Sequence, residues 1–151
     1  MKLAEALLLR SEYQQRVENL QSRILGNIKV QENDKPLEDP HVLMNEVFEI
    51  SQNLCALIKQ INVSNNTARL ANGQTLSEAI VERAMLMKKR NILASIASVA
   101  LEKDYRLAHA EIKMSVMVSV GDIQKQIDVL SKQFRELDAQ IQALNWTFDL
   151  Q

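Results

Sequence analysis

A chain of 151 residues is about one domain's worth of sequence and long enough to bury a substantial core. Hydrophobic residues make up 46% and aromatics only 4%, with three glycines and two prolines, which favours aliphatic cores along long helices. A formal charge of -1 leaves no global field to recruit nucleic acid or anionic lipid, and the single cysteine, Cys55, excludes an intrachain disulfide.

In the first segment, from Lys2 to about Gly26, apolar residues fall at Leu3, Ala6, Leu9, Tyr13, Val17, Leu20 and Ile24. Their spacing of three or four places them on one helical stripe. The pair Gly26-Asn27 is a plausible helix stop. The run Ala6–Leu9 is too short for a signal-peptide core, and Glu5 precedes it, so a cytoplasmic chain is expected. Ile28-Lys29-Val30 alternates and reads as a short edge strand; Gln31 to Pro40 is charged, holds both prolines and reads as a loop.

The second helix is predicted to start at Asp39-Pro40, where Asp39 can cap a free N–H and Pro40 fits the first helical position. Its stripe, Leu43, Val47, Ile50, Leu54, Leu57 and Ile61, alternates steps of four and three, as in a coiled-coil seam. After a polar turn, Ala68–Ala71 and Gln74–Leu76 flank Asn72-Gly73, a strong hairpin signal, with both turn residues expected at positive φ. Thr75 and Glu78 then form a capping box that opens a third helix, from about Leu76 to Lys103. Its seam is irregular. Ala79, Leu86, Leu93 and Ala100 repeat at seven, and the small residues Ala94, Ser95, Ala97 and Ser98 suggest a tight helix crossing.

From Ile112 to Val120 the period changes to two, which predicts a half-buried strand paired with the hairpin. Ser119 can cap the last helix, where Ile123, Ile127, Leu130, Phe134, Leu137, Ile141 and Leu144 step four and three without a fault. The tail from Asn145 to Leu150 contains Trp146 and Phe148 and is expected to dock. The least polar stretch, Ile92–Leu101, is half the ~20 residues a spanning helix needs, so no stable membrane insertion is expected. The predicted fold is therefore mainly α: one domain over residues 1–151, with four long helices in a bundle or antiparallel coiled-coil arrangement and a small antiparallel β-sheet.

Candidate chemistry is sparse. Glu38 and His41 have the spacing of half a di-iron motif, but the second half is missing, and His109 has no such partner. Cys55 has one nearby cation, Lys59, and reads as a partly buried, inert thiol. Three isolated glycines cannot build a phosphate loop. Lys88-Lys89-Arg90 with Arg83 forms a basic patch, read as a solvated face balanced by Glu78 and Glu82. No catalytic residue, metal or cofactor is expected, and no nucleic-acid partner.

The stronger hint is surplus apolar surface. On the second helix Met44, Phe48, Cys55 and Ile58 make a stripe beside the seam, and the first helix adds Leu7, Leu8 and Leu25. Helices apolar over so wide an arc commonly bury a second face against another subunit. Met44, Phe48, Ile58, Trp146 and Phe148 are the candidate interaction residues, for a homo-oligomer or another protein partner.

The opening Met1–Leu7, the loop Val30–Pro36 with Glu38-Asp39-Pro40, the Asn65–Leu76 hairpin, Glu111-Ile112-Lys113 and the ending Leu137–Trp146 resemble a family of small bacterial proteins, some labelled septicolysin. The resemblance covers nearly the whole chain and implies a bacterial source and no known catalytic residues. Its label implies a haemolysin. Three readings follow: a non-enzymatic structural or interaction protein, a pore-forming protein, or an enzyme with an unrecognised site.

Overall fold

The computed structural model describes residues 1–102 and 113–151. Four long helices account for most of them: α1 (Leu3–Asn27), α2 (Pro40–Thr67), α3 (Leu76–Leu101) and α4 (Val120–Thr147). The chain divides into two compact units, residues 1–69 with 142–151 and residues 70–141.

The first unit is an antiparallel pair of helices, α1 and α2. Leu20 of α1 is buried with Leu43 and Ile50 of α2, flanked by half-buried Tyr13, Val17, Ile24 and Val47. Each large aliphatic removed from water contributes about 1.5–3 kcal/mol, so this seam holds the pair together. Arg16 binds Glu46 at 2.6 Å, and Arg23, about two turns further along α1, binds Glu38 just before α2, so the two helices run in opposite directions. The start of α2 follows the predicted chemistry: the Asp39 carboxylate accepts from the His41 N–H at 2.9 Å, and Pro40 takes the first helical position. Gly26 lies within α1, which runs on to Asn27 with no left-handed stop.

The chain ends close this unit. The Leu3 N–H donates to the Phe148 carbonyl at 2.9 Å, and the Leu150 N–H to the Met1 carbonyl at 3.0 Å. Lys2 Nζ lies 2.8 Å from Asp149 Oδ1. The Gln151 N–H donates to Ser64 Oγ at 2.9 Å, which gives the fully buried Ser64 hydroxyl a partner.

The second unit pairs α3 with α4. Ala97 is buried with Ile123 and Ile127, against half-buried Leu93. Arg83 binds Asp138, and Arg90 Nε donates to Ser131 Oγ at 2.8 Å. Seven residues forward on α3 correspond to seven backward on α4, so this pair is antiparallel too. The Thr75–Glu78 capping box is present: the Glu78 N–H donates to Thr75 Oγ1 and the Thr75 N–H to Glu78 Oε2. At α4 the Asp122 N–H donates to Ser119 Oγ at 3.3 Å, as expected of a cap.

Among the described residues the predicted small β-sheet is absent. Pairing among them is reduced to isolated bridges, one of them Lys2 with Asp149. Each expected strand fails for a local reason. Ile28–Val30 is exposed and irregular. Residues 70–74 form a turn, but the capping box starts α3 at Leu76 and leaves no second arm to extend a ladder. The turn also differs from expectation. The Gly73 N–H donates to the Leu70 carbonyl, the Asn72 side chain accepts from the Gln74 N–H, and only Gly73 has positive φ, at 90°. That is a type I turn closed by a left-handed glycine, rather than one with both turn residues at positive φ. In the predicted strand Ile112–Val120, Ile112 lies outside the described residues and Val120 is taken into α4. Residues 113–119 run irregularly, with Met114, Val116, Met117 and Val118 exposed. Apolar alternation without a neighbouring strand does not secure a strand, because a lone ribbon is marginal in water.

Candidate interaction surface

The irregular seam of α3 has a structural cause. At 100° per residue, Ala79, Arg83, Leu86, Arg90, Leu93 and Ala97 share one face, and that face meets α4. Val81, Met85, Ile92 and Val99 fall on another face, more than a third of a turn away, and all four are exposed. The helix therefore carries two apolar stripes. The inner one is built from alanines, arginine stems and the half-buried Leu86 and Leu93; the outer one is built from exposed aliphatics. The expected tight crossing is realised at Ala97, whereas Ala94, Ser95 and Ser98 are exposed.

Between α3 and α4 the surface forms a groove of about 540 Å³. Its floor is Ile92 and Leu93 from α3 and Val129 and Leu130 from α4, with Gln126 beside them and Lys89 and Lys125 as its cations. Ile92 and Val129 are each more than half exposed. A smaller, more polar cavity lies along α1, where Arg16 and Arg23 are already committed to Glu46 and Glu38.

The basic patch read from the sequence is split by this geometry. Arg83 and Arg90 turn inward to Asp138 and Ser131, while Lys88 and Lys89 stay exposed. Glu78 is engaged in its capping box and Glu82 accepts from Gln74, so these acids have work at the start of α3.

On α2, Phe48 is 67% exposed, and Met44 and Ile58 beside it are half-buried. Cys55, expected to be partly buried, is exposed on the same stripe. In the tail Phe148 is half-buried but Trp146 is 57% exposed, so docking is achieved by backbone bonds rather than by burying the indole. The five candidate residues thus belong to one unit, with Phe48 and Trp146 the most open of them. The α3 outer stripe and the groove were missed. Their signal was the surplus of aliphatics on α3, which was read as irregularity in a single seam.

Little in the site is set up to react. Glu38 is committed to Arg23, whose guanidinium holds the carboxyl below the usual carboxylate range; His41 is exposed at the start of α2, and His109 lies outside the described residues. Lys2 likewise holds the Asp149 carboxyl below its ordinary value. Among the described residues no cluster of three or more histidine, cysteine or acidic side chains could hold a metal ion. Nor is any helix among them long and apolar enough to cross a membrane.

Residues 10–150 match a family described as being of unknown function, DUF6847. The chain belongs to this family. It is also similar to a protein of known crystal structure, a functionally unknown conserved protein from Corynebacterium diphtheriae. The two are 36% identical, the alignment covers 100% of this chain and 99% of the other, and the TM-score is 0.94. No curated protein matches the chain. An uncharacterised family is what these likenesses support; neither description carries the septicolysin label.

Proposed function

We propose that this family member is a non-enzymatic interaction protein that works by self-association through exposed helix faces. The observation that carries the reading is the outer stripe of α3. Val81, Met85, Ile92 and Val99 stand in water, while alanines and arginine stems share the seam with α4 with only two leucines, Leu86 and Leu93. Folding alone is better served by the opposite placement, because a large aliphatic gains about 1.5–3 kcal/mol on full burial and an alanine much less. Exposed apolar stripes of this kind are the surfaces through which helices meet a second chain. The α2 stripe of Met44, Phe48 and Ile58, with Trp146 and Phe148, is a second contact of the same type. The test is molar mass by light scattering from micromolar to near-millimolar protein. Mass rising above that of one chain is expected; a monomer throughout that range would refute self-association.

A further inference from the structure

We propose that the α3/α4 groove receives the outer face of α1 from a second copy of this chain. The inference rests on the self-association reading above and names the two surfaces that meet. Two features define what the groove can take. Its floor is aliphatic, from Ile92, Leu93, Val129 and Leu130. Its cations, Lys89 and Lys125, form no ion pair among the described residues.

The spacing of those cations follows from the helix register. Arg90 meets Ser131, so Lys89 lies about level with Lys132, and Lys125 is two helical turns further along α4. The backbone positions of the two lysines are therefore roughly 10 Å apart along the groove. A helix that fits would carry two carboxylates seven residues apart, with apolar side chains three and four residues after the first. This chain contains that pattern on α1: Glu5, Leu8, Leu9 and Glu12. Glu5 and Glu12 are exposed and Leu8 is 64% exposed, so these three face outward, with half-buried Leu9 at the margin of the inward stripe. Glu5 Oε2 accepts from the Lys2 N–H, which fixes the first carboxylate at the start of the helix.

Charge favours this occupant over a like-for-like pairing of two grooves. Groove on groove would bring lysines together, and like charges across an interface cost several kcal/mol. α1 on groove places each lysine by a carboxylate and each leucine on an aliphatic floor. The two surfaces differ, so each copy offers one α1 face and one groove, which can pair reciprocally about a two-fold axis or propagate into a ring or an open chain.

The test is charge reversal and complementation. One variant carries Glu12→Lys with Glu5→Gln; the other carries Lys89→Glu with Lys125→Glu. All four positions are at the surface, and circular dichroism and thermal melting confirm that each variant folds. Each alone should associate about a hundredfold more weakly than the wild type by sedimentation or light scattering. Mixing the two should restore association, because the unaltered groove of the first accepts the unaltered α1 of the second and the basic α1 face of the first fits the acidic groove of the second. Wild-type association in either variant alone, or no recovery on mixing, would overturn the proposal. In either case self-association of the wild type would still stand by its own mass measurement. A wild type that stays monomeric removes both.

Discussion

The two helix pairs solve the same packing problem with different materials. In α1/α2 the seam is large and aliphatic, with Leu20 against Leu43 and Ile50, and the ion pairs of Arg16 and Arg23 lie outside it. In α3/α4 the seam takes Ala97 and the inward-turned Arg83 and Arg90, while Ile92, Val81 and Val99 are turned out. The first pair buries large aliphatics in its seam and leaves Leu8, Leu25, Val42 and Phe48 exposed. The second leaves Val81, Met85, Ile92 and Val99 in water on a stripe turned away from its seam, and the proposed association rests on that stripe.

The difference can be broken from both sides. Leu20 is 1% exposed, so Leu20→Ala should cost roughly 2–5 kcal/mol, read as a lowered denaturation midpoint. In the other seam the damaging change is enlargement. Ala97 is 8% exposed against Ile123 and Ile127, so Ala97→Leu should destabilise by about 1–3 kcal/mol through overpacking. If Ala97→Leu stabilised the protein, the α3/α4 seam would be underpacked rather than close.

Acid sharpens the contrast more gently. The folded-state carboxyls of Glu38 and Asp149 titrate below their ordinary range because Arg23 and Lys2 favour the ionised forms. Their contribution is complete above the unfolded-state value and is lost as pH falls through the lowered folded-state value. Both pairs are exposed, so the effect is small and weakened by salt. Melting below the ordinary carboxylate range should show a modest loss at low ionic strength, reduced in Asp149→Asn. An acid response unchanged by Asp149→Asn would remove Lys2–Asp149 as a contributor.

How much was legible depended on whether an element has one apolar face or two. In α4 the unbroken seam predicted the buried Ile123, Ile127 and Ile141. In α2 it predicted Leu43, Ile50, Leu57 and Ile61, and the Asp39 and Thr75 caps followed from local chemistry alone. Helix α3 was not legible in this way. Two stripes on different faces blur each other's periodicity, and only tertiary packing decides which one turns inward. The sheet misled because a strand's period is local whereas its stability is not: residues 113–119 alternate without a ladder to join. Trp146 was expected inside because indole burial is favourable, yet the backbone bonds at Leu3 and Leu150 dock the tail without it. Of the exposed apolar surface, the α2 stripe is legible in the sequence and the α3/α4 groove is not, because a groove belongs to two helices at once.

The most direct test of the central claim is the molar mass of Ile92→Asp beside the wild type, at a concentration where the wild type associates. An exposed outer-stripe residue should tolerate the change with a stability effect within about 0.5 kcal/mol. The predicted result is a folded variant of lower mass than the wild type. A folded Ile92→Asp that keeps the full wild-type mass would contradict the account.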